Sequence, residues 1–250
     1  MNLFRALHSE ALKMKGTFAL KMVVLAPAVI VLLMFFGFSQ APQSTRNEWP
    51  LIEHAALNTW ALMMMPLCIT LETALVAGLD HSDNQWKSLF ARPVPRWTIY
   101  VAKLGVVVAM IAASTAILLC GIVLDGAMLP WLRSDLHFGV PVPWGAFLRD
   151  CGLVAGLEFL PLTIQHLVSL RSRSFSIAVG FGILATICGG LAFAMTQQFG
   201  GWPQYFPWAI PMLPLGRQAH DLGAVLWICA GAGLSVSAVG CWDFSRREVS

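Results

Sequence analysis

The stretch Gly78–Lys103, "GLDHSDNQWKSLFARPVPRWTIYVAK", is a polar island between two long apolar blocks. It carries charged side chains and two prolines, Pro93 and Pro95, whereas the residues on either side are almost purely apolar. A plain connection between two helices is usually much shorter. The length and the pattern of this island therefore need an explanation.

The composition of the whole chain indicates a membrane protein. Apolar residues make up 57% and charged residues 12% of the 250 residues, and the mean hydropathy is +0.70. A soluble domain usually carries about 25% charged residues. Several apolar blocks reach about 20 residues, enough for a helix to cross roughly 30 Å of hydrocarbon. The alternating segments typical of a membrane β-barrel are absent from the sequence, so we predict an all-α integral membrane protein.

Six apolar blocks predict six transmembrane helices, numbered here from span 1 to span 6. They cover approximately residues 20–38, 55–79, 98–124, 145–168, 176–195 and 222–242. Neither an internal repeat nor a linker interrupts them, and we expect residues 1–250 to form a single transmembrane domain.

The positions of Lys and Arg predict the orientation of these spans. With the N terminus in the cytoplasm, twelve of the 16 Lys and Arg residues lie on the inner side and four on the outer side. Such an excess is typical of cytoplasmic loops. Six spans also place the C terminus in the cytoplasm, so we expect a multi-pass protein of the cytoplasmic (inner) membrane. The net charge of +3 then reflects topology and does not indicate nucleic-acid binding.

Residues 2–17 predict an amphipathic helix in the cytoplasmic interface of the membrane. Its apolar face holds Leu3, Phe4, Leu7, Ala11 and Met14, and its opposite face holds Arg5, Ser9 and Lys13. The helix either anchors span 1 or supports a partner laterally, and the two roles are compatible. A signal peptide is the weaker interpretation, because about twenty polar or amphipathic residues precede the apolar run.

Within the island, residues 82–92 predict a short amphipathic helix. Trp86, Leu89 and Phe90 stand at i, i+3 and i+4 and form an apolar cluster, whereas Lys87 faces elsewhere. Pro93 cannot continue the helix. A helix of about two turns is not stable alone in water, so it needs a groove to bind. Spacing alone leaves two interpretations open: a helix that docks on a partner, and a membrane-surface loop with an interfacial tryptophan.

Residues 198–221 form a second unusual segment, apolar and aromatic but interrupted by prolines. The prolines are Pro203, Pro207, Pro211 and Pro214. The segment is too apolar for a free loop and too interrupted for a span. We expect short or re-entrant helices in the outer interface.

Two carboxylates, Glu72 in span 2 and Glu158 in span 4, are the candidates for a role inside the membrane. Charge is costly there, so each needs a partner, a water-filled cavity or a proton. Both a pathway or relay role and a structural role remain open. Pro161 predicts a kink one turn after Glu158. His166 shares a face with Glu158, but two groups two turns apart cannot hold one metal ion, and we predict no metal site.

Catalytic and nucleotide-binding motifs are absent from the sequence. It contains no P-loop, no dinucleotide-binding G-x-G-x-x-G turn, no H-E-x-x-H and no G-x-S-x-G. The six cysteines lie within or at the ends of spans without CxxC spacing, and we interpret them as small apolar side chains. We therefore predict no catalytic residue and no cofactor bound to this chain.

The whole pattern resembles the permease subunits of ABC-2 type transporters, in particular the bacitracin-resistance and lantibiotic-immunity permeases. The resemblance rests on the N-terminal "SEALKMK", the six spans and the island "NQWKSLFARPVPRWTIYVAKL". The family's first cytoplasmic loop has a W-K-x-L-x-x-x-P-x-x-R character and leads into span 3 through a Lys. The matching residues here are Trp86, Lys87, Leu89, Pro93, Arg96 and Lys103, and the N-terminal signature positions are Glu10 and Lys13.

The resemblance implies that residues 82–92 are a coupling helix on a separate ATP-binding subunit, which carries ATP and Mg²⁺. It also implies a second permease copy or a related permease, surrounding membrane lipid, and export of an antimicrobial peptide, a drug or a lipid-like molecule. Trp86, Lys87, Leu89, Phe90, Pro93 and Arg96 would then form the docking surface. The alternative is a secondary transporter or a self-contained membrane enzyme that uses Glu72 and Glu158.

Overall fold

The computed structural model describes residues 3–41, 47–82, 95–139, 141–172, 174–199, 201, 205–216 and 221–246. Over these residues the fold is helical, and the only extended pairing is an isolated bridge between Asn47 and His137. Most of the predicted coupling helix, including Trp86, Lys87, Leu89 and Phe90, lies outside the described residues, as does Pro93 after it. That helix therefore stays a prediction.

Six helical segments are long and apolar enough to cross a membrane, and they confirm the six predicted spans. They cover Phe18–Ser39, Trp49–Leu79, Arg96–Leu132, Trp144–Arg171, Phe175–Phe199 and Leu222–Arg246. Span 2 begins at Trp49 rather than near residue 55, because Pro50 fits the first helical turn, where an N–H is not needed. Span 3 continues to Leu132 with Pro130 in its last turn, beyond the predicted end at residue 124.

The N-terminal helix, Leu3–Lys13, precedes span 1 and is separated from it by a tight turn. Gly16 adopts a φ of 78°, a conformation that glycine reaches without steric cost. The Thr17 side chain then accepts a hydrogen bond from the Leu20 N–H and caps span 1. The helix is thus held at a fixed angle to span 1.

Span 2 and span 4 are both irregular near their middle. In span 2 a π-helical turn, Trp60–Met64, joins the helices Trp49–Thr59 and Met65–Ser82. In span 4 the helix Trp144–Leu157 ends at Glu158, and a second helix, Phe159–Arg171, begins directly after it. Pro161 lies in the first turn of that second helix, so span 4 is interrupted at Glu158, just before the proline, and not one turn after Glu158 as predicted.

The core of the bundle is formed by spans 2, 3 and 4. Span 1 packs against span 3, span 5 against span 2, and span 6 against spans 3 and 4. The outer spans expose large apolar side chains, among them Leu184 in span 5 and Trp227 in span 6. Contiguous exposure of this kind marks a surface that is covered by lipid or by another protein.

Close packing of span 5 depends on glycine. A Cβ at Gly189 would lie 2.6 Å from the Cβ of Trp208, which belongs to the segment before span 6. Trp208 is 5% exposed, and the 3₁₀ helix Ile210–Leu215 follows it. This short helix falls within the predicted outer segment 198–221, and its position relative to the membrane stays a prediction.

The N-terminal helix and the end of span 6 lie at the same end of the bundle. The N-terminal helix packs against the beginning of span 3, and Arg96 Nη1 donates a hydrogen bond to the Ser245 carbonyl at the end of span 6. We call this the termini end and the other the opposite end. The excess of positive charge predicts that the termini end is cytoplasmic.

Candidate functional site

A buried ion pair connects the N-terminal helix to span 3. Lys103 Nζ donates to Glu10 Oε2 at 2.8 Å, and Lys13 Nζ donates to Glu10 Oε1 at 2.6 Å. Glu10 is 5% exposed and Lys103 is fully buried. Two buried charges are tolerated only when they are paired and hydrogen-bonded. Glu10 and Lys103 therefore hold the two helices in one arrangement.

The same ammonium group also reaches span 2. Lys103 Nζ donates a hydrogen bond to the Val76 carbonyl at 3.3 Å. The N-terminal helix, span 2 and span 3 thus meet at one side chain. Lys103 lies near the beginning of span 3, and Val76 lies near the end of span 2. Their contact is therefore next to the segment that connects these two spans.

The face of the N-terminal helix that packs into the protein coincides only in part with the apolar face predicted from periodicity, since Leu7 and Met14 pack on the core. Ala6, Glu10 and Met14 are buried, whereas Leu3 and Phe4 are 42% and 77% exposed. Leu3 and Phe4 at the start of the stripe are left exposed for lipid, which favours the predicted interface position. The buried carboxylate forms the inner face because Lys103 neutralises it there, a partner that periodicity alone cannot identify.

Span 6 is joined to the termini end by further contacts. Besides the bond from Arg96 to Ser245, Arg171 Nη1 at the end of span 4 lies 3.4 Å from Asp243 Oδ1. Tyr100 packs edge-on against His166, with ring centroids 4.9 Å apart. Of the six predicted docking residues, Arg96 is the one within the described residues. It contacts span 6.

Glu72 and Glu158 are both buried within the bundle, at 0% and 1% exposure. Neither carboxyl group has a hydrogen-bond partner among the described residues. Unpaired carboxyl groups inside a membrane domain are rare and often functional. Their burial agrees with the predicted position inside the spans.

The fold does not bring Glu72 and Glu158 together. Ser169 Oγ donates to Thr73 Oγ1 at 3.0 Å, which sets the register of span 4 against span 2. Glu158 lies eleven residues before Ser169, or about 16 Å along the helix at 1.5 Å per residue. Glu72 is the neighbour of Thr73, so the two carboxyl groups lie at different depths.

His166 does not complete a site with either carboxylate. It is fully buried, and its contact with Tyr100 lies on the side of span 3. Among the described residues, no three His, Cys, Asp or Glu side chains are grouped closely enough to hold a metal ion. The arrangement offers no shared centre for Glu72, Glu158 and His166.

The opposite end of the bundle contains a cleft that the sequence did not predict. Its volume is about 440 Å³, and it lies between the first turns of spans 2 and 4 and the residues around the start of span 6. Polar side chains on its wall are Glu53, His54, Arg149 and Asp150. Three segments that are far apart in the chain form the cleft, so no local sequence pattern indicates it. Glu53 also precedes the predicted start of span 2 at residue 55.

Comparison with protein families gives one match. A family model described as "ABC-2 family transporter protein" matches residues 6–189. The matched range includes most of the N-terminal helix, spans 1 to 4 and part of span 5, with Glu10, Glu72, the island and Glu158. A comparison with curated proteins finds none that matches the chain.

The extent of the family match and the fold lead to the same conclusion. The matched residues cover well over half of the chain, and six membrane-length apolar helices are present among the described residues. A multi-pass membrane domain of this kind acts as a transport subunit rather than as an enzyme. The chain belongs to the ABC-2 family of transporter proteins and is a membrane permease component of an ABC transporter.

Proposed function

We propose that the chain is the membrane-spanning permease subunit of an ATP-driven ABC exporter in the cytoplasmic (inner) membrane. ATP hydrolysis takes place on a separate ATP-binding subunit, which carries the ATP and Mg²⁺. That subunit docks on the coupling helix over residues 82–92. The docking residues are Trp86, Lys87, Leu89, Phe90, Pro93 and Arg96.

The observation that carries this proposal is the buried contact between Glu10 and Lys103. It ties the N-terminal helix to span 3, and Lys103 ties span 3 to the Val76 carbonyl of span 2. The end of span 2 and the beginning of span 3 are therefore held together next to the segment that connects them. A force applied to the island would move spans 2 and 3 together with the N-terminal helix as one body.

Rigid transmission is what a coupling element requires. Packed helices change between discrete arrangements and do not deform continuously. Arg96 extends the connected unit to span 6 through the Ser245 carbonyl. Closure of the ATP-binding subunits would thus change the packing of several spans at once and open or close a pathway for the substrate.

A second permease copy or a related permease completes the pathway. The exposed apolar faces of spans 1, 5 and 6 are the surfaces available to that copy and to membrane lipid. The substrate is an antimicrobial peptide, a drug or a lipid-like molecule, as in the bacitracin-resistance and lantibiotic-immunity permeases that the chain resembles.

Glu72 and Glu158 have separate pathway or relay roles in this proposal. Each is buried without a hydrogen-bond partner among the described residues, and the register of spans 2 and 4 places them at different depths. Glu72→Gln and Glu158→Gln should each lower the export rate while the protein still inserts. Export at the wild-type rate in both variants would remove the two residues from the pathway.

A secondary transporter or a self-contained enzyme using Glu72 and Glu158 is the alternative. The separation of the two carboxyl groups counts against a joint site. The alternative predicts activity in membranes that lack any ATP-binding partner, whereas an ABC permease requires that partner for transport.

Co-purification tests the proposal. The tagged chain is co-expressed with its neighbouring genes, purified in detergent, and assayed for a bound ATP-binding partner and for ATPase activity. We expect the ATP-binding subunit to co-purify with the wild-type chain in a stoichiometric amount. Trp86→Ala should reduce either this binding or the linked ATPase activity. Trp131→Ala is the matched control, because Trp131 is 93% exposed at the opposite end. Equal partner binding and ATPase activity in wild type and Trp86→Ala would contradict the docking surface.

A further inference from the structure

The cleft at the opposite end contains a buried carboxylate that no contact within the described fold explains. Glu53 is 8% exposed, lines the cleft, and has no hydrogen-bond partner for Oε1 among the described residues. A buried carboxylate oxygen without a partner is costly to maintain. A ligand in the cleft that places a positive charge beside the Glu53 carboxyl group would offset that cost.

The other charges on the wall leave an acidic balance. Arg149 Nε donates to Asp150 Oδ1 at 2.7 Å, and the Arg149 side chain is 69% exposed. The Arg149 guanidinium thus contacts Asp150 and is otherwise exposed. Glu53 lies close enough to interact electrostatically with both Arg149 and Asp150. Among the described lining residues, Glu53 and Asp150 supply two carboxylates, Arg149 supplies one guanidinium group and His54 one imidazole, so this part of the wall favours a cation.

The remaining wall of the cleft is apolar and has the size of a ligand site. Leu57, Leu153 and Leu215 are among its lining residues. A volume of about 440 Å³ falls within the range of small-molecule sites, roughly 300–1,000 Å³. It is too small for a whole peptide but large enough for an aromatic or alkyl amine.

We propose that this cleft binds a small amphipathic organic cation, with its ammonium group at Glu53 and its apolar body against the leucine side chains. This assignment goes beyond the proposed docking of an ATP-binding subunit and does not depend on it. Binding at this site needs only the permease chain, so it can be measured without ATP or a partner.

Calorimetric titration of the chain in lipid nanodiscs tests the site, with 4-phenylbutylammonium as the probe and empty nanodiscs as the blank. We expect saturable binding that weakens at least about tenfold in Glu53→Gln, because a charged carboxylate binds an ammonium group more strongly than a neutral amide does. The neutral analogue 4-phenylbutanol should bind the wild type about as weakly as the ammonium probe binds Glu53→Gln.

Glu48→Gln is the matched control. Glu48 is 3% exposed, also has an Oε1 without a partner among the described residues, and does not line the cleft. Its substitution should leave binding unchanged. Leu153→Trp fills the cleft but keeps Glu53, so it should weaken the binding of both probes. This variant tests the location of the site if Glu53→Gln does not fold.

Three results would overturn the proposal. The first is no saturable binding to the wild type above the empty nanodiscs. The second is equal affinity in wild type and folded Glu53→Gln, and the third is an equal loss in Glu48→Gln and Glu53→Gln.

Discussion

Glu10 at the termini end and Glu53 at the opposite end are both more than nine-tenths buried, but their surroundings differ. Glu10 accepts hydrogen bonds from two ammonium groups, whereas Glu53 leaves one oxygen without a partner and lines a cleft. Burial alone therefore does not reveal the role of a charge in this protein. A paired carboxylate joins helices, and an unpaired one beside a cavity is available to a ligand.

The largest effect that separates the two glutamates should be on stability. Glu10→Gln removes the carboxylate that contacts both Lys103 and Lys13, and breaking a buried pair in this way typically costs about 3–5 kcal/mol. Denaturant unfolding in detergent micelles measures the loss. Arg171→Gln is the control, because Arg171 is 70% exposed in its pair with Asp243 and such pairs contribute at most about 1 kcal/mol. Equal losses in the two variants would show that Glu10 and Lys103 do not form a structural joint.

A double substitution sharpens the same comparison. Glu10→Leu combined with Lys103→Met removes both charges, and an apolar pair of similar volume is often as stable as the buried ion pair it replaces. We expect the double variant to be more stable than Glu10→Gln by about 2 kcal/mol or more, again by denaturant unfolding. A double variant as unstable as Glu10→Gln would mean that the other contacts of Lys103, such as the Val76 carbonyl, are the larger contribution.

Glu53 should behave in the opposite way. Glu53→Gln removes a charge that has no buried partner, so the free energy of unfolding should stay within about 1 kcal/mol of the wild type or rise. The same unfolding experiment without ligand gives the value. A loss of the size expected for Glu10→Gln would indicate that Glu53 is a structural residue.

The smallest expected effect concerns a partly buried pair near the opposite end, which contrasts with both buried glutamates. The Arg133 guanidinium donates to Asp135 and lowers the pKa of that carboxyl group. A lowered folded-state pKa stabilises the fold above the unfolded pKa of about 4, and this contribution is lost as pH falls through the folded-state value. The stability difference between wild type and Asp135→Asn should therefore shrink on acidification below pH ~4. A difference that stays constant down to pH ~2 would contradict this assignment.

The spans could be predicted from the sequence because each is determined locally. Apolar runs of membrane length and the proline after Glu158 are readable without tertiary contacts. The ends of the spans were predicted less accurately than the spans themselves. Pro50 fits the first turn of span 2 and Pro130 the last turn of span 3, so neither proline ends its helix. A proline marks a helix boundary only to within about a turn.

The charged sites could be predicted only in part. Glu10 and Lys13 were named through the family resemblance, but the bond from Glu10 to Lys103 joins residues 93 positions apart. Glu53 was missed because its environment depends on spans 2 and 4 and on the residues before span 6. Sequence patterns show which faces are apolar, but they do not show which charge will find a partner.

The most direct test of the coupling proposal is site-specific photo-crosslinking from the island. A photoreactive amino acid replaces Phe90 or, as a control, Trp131, and the chain is irradiated in membranes that contain the co-expressed ATP-binding protein. We predict a crosslink to that protein from position 90 that changes in yield when ATP is added, and none from position 131. No crosslink from position 90, or equal crosslinking from both positions, would contradict the docking of an ATP-binding subunit on residues 82–92.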